Sequence, residues 1–120
     1  MIRKAESKDL YILSELACQL WPDHTVEGMC SEFADMIAKP DAAFFLAYAD
    51  EAAVGFAQCQ LRYDYVEGTG SSPVGYLEGI YVVEVYRKQG VARELLSACE
   101  TWSKSIGCTE FASDCELENT

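Results

Sequence analysis

Two sets of residues in this chain stand where they can do chemistry: a basic turn punctuated by glycine, and carboxylates set among apolar neighbours. The turn is Val82-Val83-Glu84-Val85-Tyr86-Arg87-Lys88-Gln89-Gly90-Val91-Ala92. An apolar strand runs into it, and an amphipathic helix opens at Gly90. The first N–H groups of a helix lack an internal acceptor and the helix dipole is positive there, so a pyrophosphate gains from both. Gly90 lets the backbone approach a phosphate, and the small Ala92 keeps the next turn clear of it. Arg87, Lys88 and Arg93 add positive charge to the same locality. The bland alternative is an ordinary strand-to-helix turn whose basic side chains are solvated.

Glu78 interrupts the apolar run Tyr76-Leu77-Glu78-Gly79-Ile80-Tyr81-Val82. A carboxylate buried there without a partner costs several kcal/mol. It is therefore either an exposed or hydrogen-bonded strand residue, or an anionic contact for a substrate ammonium. Asp114 follows the last expected strand, where ligand-contacting groups commonly gather, and reads equally as a turn or capping residue. Trp21 and Tyr65 offer aromatic faces that can attract a cation or simply pack in the core. His24 reads as a loop histidine, neither general base nor metal ligand, and Asn119 as a helix cap.

The elements that must position these residues follow from periodicity. Met1 to Lys4 is a short strand. Ser7 is placed to cap a helix with Leu10, Leu13, Ala17 and Leu20 on one stripe, ended by Trp21-Pro22. Thr25 is placed to cap a second helix, with Met29, Phe33, Met36 and Ile37 inward, stopping near Lys39-Pro40. Ala42 to Ala49 reads as a strand, and Asp50-Glu51 as the turn after it. From Ala53 to Tyr65 the pattern alternates, with Cys59, Leu61, Tyr63 and Tyr65 on one face and Gln58, Gln60, Arg62 and Asp64 on the other. A Gly/Ser-rich loop spans Glu67 to Pro73, and Val74 to Val83 is a further strand. The helix from Gly90 carries Val91, Leu95, Ala98 and Trp102 on its apolar stripe and stops at Gly107. Glu110 to Ser113 is a last short strand. The order β-α-α-β-β-β-α-β is an α/β arrangement in a single domain, 1–120.

Bulk properties narrow the partners. The 120 residues are 50% hydrophobic and 24% charged, an ordinary globular composition. Twenty acidic residues against nine basic give a formal charge of −11. That balance disfavours nucleic acid and concentrates cationic ligands, or serves only solubility. The six cysteines contain no CxxC pair and accompany one histidine, which argues against a zinc site. With no signal peptide and no apolar run of the ~20 residues that cross a bilayer, the expectation is a reduced, cytoplasmic protein without a membrane segment.

Arg87-Lys88-Gln89-Gly90-Val91-Ala92 resembles the acetyl-CoA signature (R/Q)-x-x-G-x-(G/A) of the GNAT acetyltransferases. Leu20-Trp21-Pro22-Asp23-His24, Asp64-Tyr65-Val66, Ser71-Ser72-Pro73-Val74, Leu77-Glu78-Gly79-Ile80 and Phe111-Ala112-Ser113-Asp114 narrow it further. Together these blocks are similar to the bacterial aminoglycoside 6′-N-acetyltransferases, in the family's order and over nearly the whole chain. Glu84 stands where such relatives often have proline, which leaves the signature intact. Family members also continue past Thr120 with a further helix and strands. The resemblance thus implies a GNAT fold, a mixed sheet flanked by helices, lacking its C-terminal helix and strands, and it puts the activity of this chain alone in question.

The resemblance also implies roles. Acetyl-CoA is the co-substrate, with no metal. Its pyrophosphate rests on the amides from Lys88 to Arg93, its pantetheine arm pairs along Ile80, Tyr81 and Val82, and Asn119 contacts it. Trp21, His24, Tyr65, Glu78 and Asp114 surround a cationic aminoglycoside. Asp114 is assigned as base and Glu78 as substrate anchor, roles that sequence alone leaves interchangeable. An N–H near Tyr81 would stabilise the oxyanion, and a homodimer is expected. Other readings stay open: a GNAT enzyme acting on a polyamine or a peptide N-terminus, a ligand-binding remnant without catalysis, or a partner subunit pairing through an exposed sheet edge.

Overall fold

The computed structural model describes residues 1–63, 70 and 73–113. Along the chain run β1 (Ile2–Lys4), α1 (Leu10–Leu20), α2 (Val26–Ile37), β2 (Ala42–Ala49), β3 (Ala52–Arg62), β4 (Val74–Val82), α3 (Val91–Ser105) and β5 (Phe111–Ser113). This is the expected order. The strands lie side by side as β1-β2-β3-β4-β5. All neighbours are antiparallel except β4 and β5, which are parallel because α3 carries the chain back across the sheet between them.

Each face of the sheet has its own core. Phe44, Leu46 and Phe56 pack under α1 and α2 with Leu13, Leu16, Ala17, Met29 and Phe33. On the other face Ala43, Phe45, Ala47, Ala57, Cys59 and Leu77 pack under α3 with Ala92, Leu95 and Cys99. Burial on both faces explains why β2 reads as one unbroken apolar run rather than an alternation.

Local signals mostly act as read. The Thr25 hydroxyl accepts from the Gly28 N–H at 3.0 Å at the start of α2. Beyond the end of α3, the N–H groups of Gly107 and Cys108 return to the Lys104 and Ser103 carbonyls. Two details differ. Ser7 lies inside a short 3₁₀ turn, Ser7–Asp9, and Asp9 does the capping, accepting from the Glu6 N–H at 2.8 Å. Arg3 then ties Asp9 to the Tyr48 hydroxyl, which fastens β1 and β2 to the entrance of α1. On α3 the deepest line is Ala92, Leu95, Cys99 and Ser103, with Val91, Ala98 and Trp102 flanking it. Small residues take the centre because the helix lies close to β4, with Ser103 directly against Gly75.

Candidate active site

The register of β3 on β4 slips at one point: Gln58 pairs with Gly79 and Cys59 with Leu77, leaving Glu78 unpaired between them. A bulge of this kind re-aims the side chain it carries. The Glu78 carboxylate is half-buried and receives three hydrogen bonds from β3. Gln60 Nε2 donates to Oε2 at 2.7 Å, and Arg62 grips both oxygens, Nε to Oε2 at 3.0 Å and Nη2 to Oε1 at 2.9 Å. The Arg62 guanidinium also lies 3.9 Å from the centre of the Tyr76 ring. Charge-assisted bonds of this geometry hold the carboxylate in place.

Gly79 follows the bulge and lets α1 come close. A Cβ at this position would lie 2.5 Å from Trp21 Cη2 and 2.6 Å from Cζ2, so the indole occupies the space where a side chain would be. Trp21 is fixed from the other side by an edge-on contact with Phe56, ring centres 6.1 Å apart. Between α1, α2 and the sheet is a cavity of about 250 Å³ lined by Trp21, His24, Glu32, Met36, Gln58 and Glu78 among others. It joins an aromatic wall to two carboxylates and an amide, which suits a cationic, hydroxyl-bearing ligand.

From the bulge, β4 runs to the basic turn with one edge open among the described residues. Among the described residues β5 pairs with β4 over Gly75, Tyr76 and Leu77. On the β3 side the Val83 N–H donates to Val54 O at 2.8 Å. Alternation along an antiparallel pair then turns the N–H and C=O of Tyr81 and Gly79 toward β3, and those of Ile80 and Val82 toward the open edge. Arg87 Nε donates to Val82 O at 2.7 Å, and its guanidinium lies 5.4 Å from the Tyr81 ring centre. Among the described residues the Ile80 carbonyl and the Ile80 and Val82 N–H groups keep an edge that an extended ligand can pair with.

That edge ends at the mouth of α3. A 3₁₀ turn, Glu84–Tyr86, reverses the chain, with Arg87 N–H donating to Glu84 O at 3.1 Å. Lys88 (φ 63°) and Gly90 (φ 87°) both take left-handed backbone conformations. Gly90 is the residue that adopts such a φ without a Cβ penalty. No atom lies within 4 Å of where its side chain would begin, so the mouth is open to an anion. The first helical bond is Glu94 N–H to Gly90 O at 3.0 Å. The N–H groups of Val91, Ala92 and Arg93 precede it and point out of the helix end. Lys88 and Arg93 are exposed beside them, while Gln89 folds back onto Val85 O at 3.3 Å.

The structure therefore brings Trp21, His24 and Glu78 to one cavity, and gathers Ile80, Tyr81, Val82 and Arg87 to Arg93 along one edge and one helix mouth. Tyr65, Asp114 and Asn119 lie outside the described residues. Gln58 and Glu32 also line the cavity, and sequence reasoning did not single them out. Gln58 shares the alternating polar face with Gln60 and Arg62, which was a usable signal; Glu32 carried none, since its place depends on how α2 packs. The Cys99 thiol is no nucleophile: the neighbouring Cys59 thiol and burial push it far above the usual range. No helix among the described residues is long and apolar enough to cross a membrane.

Among the described residues, a bulged strand thus keeps one free edge and runs into a glycine-opened helix mouth. The chain belongs to the acetyltransferase (GNAT) family, whose sequence profile matches residues 10–120. Within it, the chain is similar to proteins named aminoglycoside N(6′)-acetyltransferase type 1. It is 40% identical to the one from Salmonella enteritidis over 99% of this chain and 82% of that protein. It is 44% identical to the one from Stenotrophomonas maltophilia, over 98% of this chain and 76% of that protein. The solved aminoglycoside N-acetyltransferase AAC(6′)-Iy in complex with CoA superposes with a TM-score of 0.93 at 39% identity, covering 99% of this chain and 78% of that one. The same enzyme in complex with the bisubstrate analogue CoA-S-monomethyl-acetylneamine gives 0.92 at 39% identity, covering 99% and 81%.

Proposed function

We propose that this protein transfers the acetyl group of acetyl-CoA directly to the 6′-amino group of an aminoglycoside. The observation that carries this reading is continuity: among the described residues one free strand edge, Ile80 to Val82, joins the open mouth of α3 to the Glu78 cavity. The N–H groups of Val91, Ala92 and Arg93 hold the pyrophosphate, with Lys88 and Arg93 adding charge. The Ile80 and Val82 backbone pairs with the pantetheine arm, which sets the thioester beside the cavity, so proximity and orientation supply much of the rate.

Trp21 and Tyr65 offer flat faces to a sugar ring, His24 contacts the substrate at the cavity rim, and Glu78 anchors an ammonium. Asp114 is assigned as the base that takes the proton from the 6′-ammonium, directly or through water. The freed amine attacks the thioester carbonyl, the C–S bond breaks, and the thiolate leaves and is protonated as CoA. An N–H on the open edge beside Tyr81, from Ile80 or Val82, stabilises the oxyanion that forms between. Asn119 is a further cofactor contact. Neither a thiol intermediate nor a metal enters the scheme. The setting is the reduced cytoplasm, and the assembly a homodimer, which sedimentation tests.

The deciding experiment is CoA release with acetyl-CoA across kanamycin, tobramycin, spermidine and a peptide. Release with the two drugs and little with the other amines is the expected result. Release with spermidine or the peptide alone would replace the substrate and keep the enzyme.

A further inference from the structure

The Glu78 cavity holds two polar groups that the scheme above leaves unused. Gln58 lies on β3 with only 8% of its surface exposed. Its amide nitrogen donates to Met36 Sδ at 3.7 Å, a weak acceptor. Its carbonyl oxygen has no donor among the described residues, although it lines the cavity. Among the described residues the side-chain oxygens shut away from solvent without a partner are those of Ser14 and Ser103, so the Gln58 oxygen is reached from the cavity, where water or a ligand supplies its donor. Glu32 lies across from it on α2, exposed at the cavity rim and without an ion-pair partner among the described residues. Glu78, by contrast, already has its charge matched by Arg62 at 2.9 Å. Among the described residues lining the cavity, the uncompensated negative charge is therefore at Glu32.

We propose that Gln58 and Glu32 form a second polar subsite of this cavity, which binds an ammonium or hydroxyl group of the substrate other than the amine that is acetylated. The subsite rests on the aminoglycoside reading and adds a specificity to it. Glu78 and the base serve the reacting amine, which any primary amine can offer. Gln58 and Glu32 serve a second group a short distance away, which only a polyamino or amino-hydroxy compound can offer. Gln58 accepts from the floor of the cavity, where its side chain is held by Met36. Glu32 attracts from the rim, where salt screens it.

Calorimetric titration of kanamycin into wild type, Glu32→Gln and Asp35→Asn tests the subsite. Asp35 is an exposed acid on the same helix that does not line the cavity, so it controls for net charge. The subsite predicts a Kd raised roughly five-fold by Glu32→Gln, an effect that shrinks with added salt, and no change for Asp35→Asn. Gln58→Met, close in shape, removes the carbonyl and is expected to weaken kanamycin while leaving the KM for acetyl-CoA within about two-fold. Thermal melts run alongside, and should Gln58→Met unfold, Glu32→Gln decides. Equal effects of Glu32→Gln and Asp35→Asn, or none from either, overturn the subsite. CoA release measured on the same samples separates the two claims. Binding that depends on Glu32 without turnover keeps the subsite and sinks the catalytic reading. Turnover and affinity indifferent to Glu32→Gln do the reverse, and no kanamycin binding at all removes both.

Discussion

Arg62 holds Glu78 by both oxygens, at 2.9 and 3.0 Å, from the strand next door. The contact exists because β4 bulges at Glu78: without the slipped register this carboxylate would face Gln58 or Cys59 in the middle of the sheet. The pair thus converts a carboxylate in an apolar strand into a fixed anion at the cavity wall. A substrate ammonium must share that anion with a guanidinium already seated on it.

Removing the anion separates its binding role from its structural one. Glu78→Gln keeps the shape and the Gln60 contact but removes the charge that Arg62 grips. The pair is partly exposed, 42% for Arg62 and 19% for Glu78, so the stability loss should stay near about 1 kcal/mol. The KM for kanamycin should rise roughly ten-fold, as expected for losing a hydrogen bond to a charged group, with the KM for acetyl-CoA unchanged. Steady-state kinetics with both substrates varied, plus a urea melt, checks this.

Gly79→Ala brings a methyl group within 2.6 Å of the Trp21 ring, and the ring must move. Overpacking of this kind costs about 1–3 kcal/mol. Tryptophan fluorescence should shift and kanamycin binding weaken, while CoA binding at the far end of β4 persists. An unchanged emission spectrum would contradict the close contact.

Gly90→Ala acts through the backbone, because the φ of 87° disfavours any side chain although the space around it is open. The expected cost is about 1 kcal/mol, seen in a thermal melt, together with a raised KM for acetyl-CoA and little change for the drug. A loss confined to the drug would misplace the cofactor.

The Cys99 thiol gives a pH signature. The Cys59 thiol and burial raise it well above its ordinary value, so the folded protein keeps this proton after the unfolded chain begins to lose it. Its contribution to stability is complete below about pH 8.5, the unfolded thiol's range, and declines as pH rises above that. Urea midpoints from pH 7 to 10 should fall more steeply for wild type than for Cys99→Ala. Mass mapping after iodoacetamide treatment at pH 8 should find Cys59 and Cys99 unlabelled.

Much of this was legible in the amino acids. The order of elements, the Thr25 cap, the stop at Gly107 and the Gly90 mouth each follow from a local rule, and local rules survive into the fold. The parts that were not legible depend on register or on packing between distant elements. The bulge at Glu78 is a one-residue slip between β3 and β4 that neither strand displays alone. Asp9 displaced Ser7 as the cap because Arg3, six residues earlier, orients its carboxylate. Glu32 reaches the cavity only through the way α2 lies on β3, and its own neighbours in sequence give no hint of it. The inward line of α3 shifted toward Ala92 and Cys99 because a close helix–sheet approach selects small residues, which hydrophobicity alone ranks too low.

Crystals grown with CoA bear most directly on the whole account. The pyrophosphate oxygens are predicted to lie within hydrogen-bonding distance of the Val91, Ala92 and Arg93 N–H groups, with the pantetheine arm alongside Ile80 and Val82 and the sulfur directed toward Glu78. Bound CoA found elsewhere on the protein, with the α3 mouth empty and the edge of β4 bare, would contradict it.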